Sequence, residues 1–377
     1  MAKILHTADI HLDSPFSLLD VQKAQVRKNE LRGTFTSLMM YAKTEHFDLV
    51  IISGDLFDCG FVTKETMELI VSQFEQNPDC KFVIAPGNHD PIGPKSPYKK
   101  VQFPNNVYIF DSDELSCFRF DDIGIDVYGY AFCDSKMETN PLREVKLNLN
   151  SERINILAAH ADMTSATSDN CPMTVADIAA SGFDYVALGH IHAGGDVKLA
   201  GHTYYAYSGC LEGRSFDECG IKGAIVCKTT TSRSGARLDF ALKRFSHRRY
   251  EKFDVDITAA TSTNEAIEKA RRVLTDHGVG SDTVLRLTFT GSVSEEFALD
   301  ARKLTAQTFG VYYLEYYDKT MPTLNYKDLL NDISIRGAFF RELWPKMKSE
   351  DEKERRTAIE AFRYGMAALS GSDIVDY

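Results

Sequence analysis

Asp9, His11, Asp55, Asn88, His89, Asp90, His160, His190 and His192 are the side chains of this sequence whose types and positions could do chemistry together. Each falls where an apolar run gives way to a loop. Lys3 to Ala8 delivers Asp9 and His11, and FDLVIIS, Phe47 to Ser53, delivers Asp55. KFVIA, Lys81 to Ala85, ends in Pro86 and releases Gly87, Asn88, His89 and Asp90. RINILAA, Arg153 to Ala159, stops at His160, and DYVALG, Asp184 to Gly189, delivers His190 and His192. Carboxylate, amide and imidazole donors without thiolate suit manganese, iron or zinc. A carboxylate central to such a set can bridge two ions about 3.5–4 Å apart, which makes a dinuclear hydrolytic site. His89, next to the amide oxygen of Asn88, is a ready proton donor. Any one of these short motifs is a commonplace turn, and the meaning lies in their sum.

The elements that must position these groups follow from periodicity. Ligands in open α/β folds gather at the carboxyl ends of strands, so runs that end in donors converge if the strands lie side by side. Helical spacing from Leu18 to His46, with Val26, Leu31, Phe35, Leu38, Met39 and Ala42 apolar, predicts a helix covering one face of a sheet. Thr63 to Phe74 reads as a second helix, capped by Thr63 with Glu65 near the favourable end of its dipole, and Val175 to Ala180 as a third. Between Asn106 and Phe132 strand-like pieces alternate with turns, so antiparallel members are expected there.

A second module follows. Ala236 to Phe245 and Tyr250 to Ile257 read as strands. A helix (Asn264 to His277), a strand (Thr283 to Thr290), a helix around Glu296 to Phe309 and a strand (Val311 to Tyr317) come next. Lys243, Arg244, His247, Arg248 and Arg249 form either a solvated linker or a phosphate-contacting strip. Tyr312, Tyr313, Tyr316 and Tyr317 are either core or a base-stacking stripe. After Pro322 the chain turns helical, from Tyr326 to Trp344 and from Ala358 to Leu369, around a charged hinge at Lys346 to Arg356. Leu329, Leu330, Ile333, Phe339, Phe340 and Leu343 make one face amphipathic, for packing on its own domain or for docking.

With 377 residues, 44% hydrophobic and 26% charged, the chain exceeds one ordinary domain and is neither disordered nor fibrous. A net charge of −11 argues against a uniformly basic DNA-binding surface, so a nucleic-acid partner would be met locally or with help. Cys59, Cys80, Cys117, Cys133, Cys171, Cys210, Cys219 and Cys227 include no Cys-x-x-Cys pair, which fits reduced thiols. Met1 to His11 lacks the pattern of a leader, and no run is long enough to span a bilayer, so the expected location is cytoplasmic.

The ordered set ADIH, GDLFD, GNHD, AAH and GHIH resembles the calcineurin-like metallophosphoesterase superfamily across Ala2 to His192. The segment YSGCLEGRSFDECGIKGAIV, Tyr207 to Val226, and the long C-terminal region are similar to SbcD-type DNA-repair nucleases, in particular their YhaO-type branch. The resemblance implies a four-layered α/β/β/α sandwich over residues 1–247, an α/β capping domain over 248–322, and a helical partner-docking segment over 323–377. It further implies one ion held by Asp9, His11, Asp55 and His192 and a second held by Asp55, Asn88, His160 and His190, with manganese the first choice and Asp55 bridging. In that scheme His89 binds no metal and acts on the transition state or the leaving oxygen, and Asp90 orients its ring. Asp13 and Asp58 are read as turn and cap residues. The implied activity is DNA exonuclease action in break repair, as a homodimer with an SbcC-type coiled-coil ATPase. The competing readings are a nucleotide-scale phosphatase or phosphodiesterase of the same superfamily, and a non-catalytic scaffold, which would be expected to have lost ligands.

Overall fold

The computed structural model describes residues 1–377 except 59–60, 144, 146, 233–234, 295–296, 324–325 and 370–377. The chain divides into two compact units, Met1–Tyr250 and Glu251–Tyr377.

The first unit is built on two six-stranded sheets. In chain order its elements are β1 (Ala2–Thr7), α1 (Val21–Thr44), β2 (Leu49–Ile52), α2 (Lys64–Glu75), β3 (Lys81–Ile84), β4 (Val107–Ile109), β5 (Ser116–Phe120) and β6 (Ile125–Gly129), followed by β7 (Ile154–His160), α3 (Val175–Ser181), β8 (Tyr185–Gly189), β9 (Lys198–Ala200), β10 (Thr203–Tyr207), β11 (Gly223–Ser232) and β12 (Gly235–Arg244). One sheet runs β12-β11-β1-β2-β3-β4 and the other β5-β6-β7-β8-β10-β9. The central strands β2 and β7 are buried along their whole length because both faces are covered. Alternation in β7 and β8 sets the layers. Ile154, Ile156, Ala158, Tyr185 and Ala187 join the core shared with the first sheet, whereas Leu157, Ala159, Val186 and Leu188 pack with Ile178 of α3. Leu31, Phe35, Leu38, Met39 and Ala42 of α1, with Met67, Ile70 and Phe74 of α2, are buried in the first sheet's core. The fold is therefore α/β, with helices outside and two sheets within.

Two expectations for this unit change. The Asn106 to Phe132 stretch divides: β4 adds to β3 in parallel, while β5 and β6 form the antiparallel hairpin that begins the second sheet. The segment after His192 supplies β9, β10 and β11, and β11 pairs antiparallel with β1 across five residue pairs. In the run Lys243 to Arg249, Arg248 Nη2 lies 2.6 Å from Glu30 and Lys243 Nζ sits over the Tyr41 ring.

The second unit takes in β13 (Arg249–Asp256) from Glu251 onward, then α4 (Thr263–Asp276), β14 (Thr283–Thr290), β15 (Ser292–Val293), α5 (Ala301–Thr305), β16 (Tyr313–Asp318) and β17 (Met321–Pro322), which precede α6 (Tyr326–Asn331), α7 (Ile335–Met347) and α8 (Glu352–Leu369). A three-stranded sheet, β13-β14-β16, carries α4 on an apolar core that includes Leu285, Leu287 and Phe289. Only the five residues of α5 are helical in the region expected to form a helix around Glu296 to Phe309, and Glu296 itself lies outside the described residues. The helix expected over Tyr326 to Trp344 breaks between α6 and α7, where Ser334 occupies the N-cap position of α7. Tyr316 packs against the unit's core, and Tyr317 lies under the Arg286 guanidinium. The cysteines among the described residues are free, and Cys59 lies outside them. No helix among the described residues is long and apolar enough to cross a membrane.

Candidate metal centre

Asp9 and His11 follow β1, Asp55 follows β2, and Asn88 and His89 follow β3; these three parallel strands are neighbours in the first sheet. His160 ends β7 and His190 follows β8, which are parallel neighbours in the second. The loops after β1 and β2 stay paired beyond their strands, through Asp9 N–H to the Gly54 carbonyl and His11 N–H to the Asp55 carbonyl. To make that approach Asp9, His11 and Asp55 all adopt positive φ (50°, 50° and 52°), a left-handed conformation tolerated at a cost and concentrated at functional sites. Gly87 has a different role from the sharp turn that its type suggests: a Cβ there would lie 2.3 Å from Asp55 Oδ1 and 2.9 Å from the His160 ring. Gly54 is needed for space too, since its Cβ would meet His160 Nδ1 at 2.2 Å.

The side chains then converge. Asp55 Oδ2 lies 3.6 Å from His11 Nε2 and 3.5 Å from His160 Nε2, at the middle of the set. Asp9 comes within 4.8 Å of one nitrogen each of His11 and His192, and separately of Asp55 and His160. Its carboxylate also accepts the His190 amide at 3.0 Å. The His190 ring meets the His160 ring edge-on, with centroids 5.2 Å apart. Asp9, His11, Asp55 and His160 are all but inaccessible to solvent, whereas His89 is exposed at the mouth.

Two contacts show what the set is arranged to hold. His160 Nδ1 lies 3.0 Å from the Ser53 carbonyl, which requires an N–H there and leaves a lone pair on Nε2. That Nε2 faces Asn88 Oδ1 at 2.8 Å, an acceptor against an acceptor. His11 Nε2 also faces His192 Nε2 at 3.1 Å, within hydrogen-bond distance, with the donor set by the tautomer. Burial keeps His160 and His190 neutral, each lowered to about 4, and lowers His11 as well. Burial, and then the Asp55 charge, push Asp9 well above the usual carboxylate range, and burial raises Asp55. The Nε2 lone pair of His160 aimed at an amide oxygen and carboxylates crowded out of water are both relieved by cations, so the residues fit divalent metals.

Asp90 does not orient His89. Its carboxylate accepts the amides of Asp55, Phe57 and Gly87 and the Tyr98 hydroxyl, tying the loops after β2 and β3 together. The His89 ring is held instead through Nδ1 on the Asp58 carbonyl at 2.9 Å. Asp13 is not itself the cap of α2, which is Thr63; it accepts from the Thr63 amide and hydroxyl and from the Thr66 hydroxyl, and pairs with Arg32 at 2.9 Å. Asp58 is more than the turn residue its position suggests, and Arg214 and Glu218 were missed by sequence reasoning. Glu218 Oε1 lies 2.6 Å from His192 Nδ1, and Arg214 reaches Asp58 and Glu218 at 2.7 and 2.8 Å. The sequence signal for them is faint, an arginine and a glutamate four residues apart in a loop.

Two sheets whose C-terminal edges gather oxygen and imidazole donors around a central buried carboxylate define a metal-dependent hydrolase. Residues 2–194 match the calcineurin-like phosphoesterase family, and the chain belongs to it. Members of this family use a dinuclear metal site. The chain is 28% identical over 315 residues to YhaO, an uncharacterised metallophosphoesterase of Bacillus subtilis (strain 168), covering 81% of this chain and 75% of that protein. It is 29% identical to SbcD, a component of the nuclease SbcCD of Staphylococcus epidermidis, covering 57% of this chain and 63% of that one. It is 27% identical to the DNA double-strand break repair protein Mre11 of Saccharolobus solfataricus, over about half of each chain, 51% and 50%.

Proposed function

We propose that this chain is a manganese-dependent DNA exonuclease of the SbcD type, in the YhaO-type branch, acting on DNA ends in break repair. The observation that supports the reading is the similarity to the nuclease component SbcD and to the break-repair protein Mre11, in a chain that groups Asp9, His11 and His192, and Asp9, Asp55 and His160, within metal-binding reach. Asp9, His11, Asp55 and His192 would hold one ion, and Asp55, Asn88, His160 and His190 the other, with Asp55 shared. Divalent ions held there supply positive charge to the phosphoryl oxygens and lower the pKa of water. The chain's own groups do the rest. Burial keeps Asp9, His11, Asp55 and His160 out of water. His89, exposed and fixed through Nδ1 on the Asp58 carbonyl, presents Nε2 as the atom that steadies transition-state charge or hands a proton to the leaving oxygen. Residues 248–322 would select the DNA admitted, and residues 323–377 would dock an SbcC-type coiled-coil ATPase on a homodimer.

The test is hydrolysis of end-labelled linear duplex against covalently closed circular DNA in manganese, with a mononucleotide alongside. Degradation of the linear DNA alone, falling about 10²–10⁴-fold in His89→Ala while manganese stoichiometry is kept, is the expected result. Mononucleotide turnover with both DNAs intact would replace this reading with a small-molecule phosphatase.

A further inference from the structure

The rings of His11 and His192 are gripped from behind by one connected group of charges. Glu218 is buried, and its Oε1 takes the His192 Nδ1 contact at 2.6 Å together with Arg214 Nη2 at 2.8 Å. Glu218 Oε2 accepts the Arg214 amide at 2.6 Å, which fixes the carboxylate plane. The other arm of the same guanidinium donates from Nη1 to Asp58 Oδ1 at 2.7 Å. That oxygen lies 3.2 Å from His11 Nδ1. One arginine thus ties together two carboxylates. Glu218 is hydrogen-bonded to the outer nitrogen of His192, which Arg214 Nη2 also approaches at 3.2 Å. Asp58 stands beside the outer nitrogen of His11 without a hydrogen bond to it, while the two Nε2 atoms face each other at 3.1 Å. The loop that carries Arg214 and Glu218 is itself pinned to the site. Cys210 N–H and Lys222 Nζ both donate to the His192 carbonyl, and the Tyr250 hydroxyl donates to the Arg214 carbonyl.

We propose that Arg214, Glu218 and Asp58 are positioning residues that fix His11 and His192 with Nε2 inward. The proposal rests on the ligand assignment above. A carboxylate on the outer nitrogen selects the tautomer with its proton at Nδ1, frees the Nε2 lone pair, and raises its basicity toward a cation. Glutamate is suited to the closer, hydrogen-bonded contact at His192. The planar guanidinium is required because its two arms span both carboxylates; a lysine ammonium is a single point charge and cannot. The bracket makes the two donors interdependent. Loosening Glu218 releases His192 directly and removes one of the two carboxylates that hold Arg214, whereas loosening Arg214 releases both rings.

The experiment uses the full chain and reads binding and tautomer rather than turnover. Manganese affinity and stoichiometry are measured by equilibrium dialysis for wild type, Glu218→Gln, Asp58→Asn and Arg214→Lys. Long-range nitrogen–proton correlation spectra of histidine-labelled, metal-free protein report the tautomers. Wild type is expected to bind two ions with His192 protonated at Nδ1. Glu218→Gln is expected to weaken one ion about 10–100-fold, leave the other unchanged, and mix the His192 tautomer. Arg214→Lys is expected to disturb both rings. Wild-type affinity and an unchanged His192 tautomer in a folded Glu218→Gln protein would overturn the bracket while leaving the ligand assignment standing. A wild type that binds no manganese would overturn the assignment and the bracket with it. If circular dichroism shows Glu218→Gln unfolded, Asp58→Asn decides through His11 by the same two readouts.

Discussion

Excluded volume matters in this site as much as charge. Gly87 leaves no room for a methyl group between Asp55 and His160, the two side chains that stand at the centre of the set. Gly87→Ala is expected to push Asp55 aside and to lower kcat/KM at least about 10²-fold, the scale on which a misplacement near 1 Å is felt. Steady-state kinetics with a circular dichroism control checks it; near-normal activity would mean that the loop after β3 yields more easily than its hydrogen bonds to Asp90 imply. The nine donors and acids were legible as types, because each stands at a hydrophobic-to-polar break. The ring partner of His89 was not, since a backbone carbonyl such as that of Asp58 has no residue identity to read.

Strands were legible where both faces are buried and faint where they are short or edge-like. β2 is a continuous apolar run and β7 is buried along its whole length, while β4 and β9 have three residues each. β1 contributes a further property. His6 is wholly buried, with Nδ1 on the Tyr185 hydroxyl of β8 at 2.7 Å, so it joins the two sheets. Burial lowers it from the ordinary 6.5 to about 3. The unfolded chain therefore binds a proton before the folded one does. The stability this ring contributes is whole above pH 6.5 and is lost as pH falls from there toward 3. By pH 5 the loss is about 2 kcal/mol, from roughly 1.4 kcal/mol per unit. Urea unfolding of wild type and His6→Asn between pH 7 and 4 should show the variant with a flatter acid limb, and parallel limbs would refute the assignment.

The whole molecule has two compact units, and all the candidate donors lie in Met1–Tyr250. Cations that neutralise buried Asp9 and Asp55 bind only the folded first unit. Manganese at 100 times its Kd should therefore stabilise that unit by about 2.7 kcal/mol. For a unit of this size the shift is roughly 5–10 °C in Tm. Calorimetry with and without chelator should show one transition moving and the other, from Glu251–Tyr377, staying in place. A common shift of both would show that they unfold as one.

The donor chemistry was determined by the sequence itself, because residue type and the alternation of apolar runs with breaks are local properties that survive without a fold. Fold class followed from the same signal, as runs ending in ligands imply strands laid side by side. What only tertiary structure decided is which atom holds which. Arg214 and Asp58 lie 156 residues apart, and Glu218 and His192 lie 26 apart, yet they share one network behind two rings. Asp90 takes the loop amides and the Tyr98 hydroxyl rather than the His89 ring. Such contacts form because desolvated charges must find partners wherever the two sheets bring them, and no spacing along the chain encodes that.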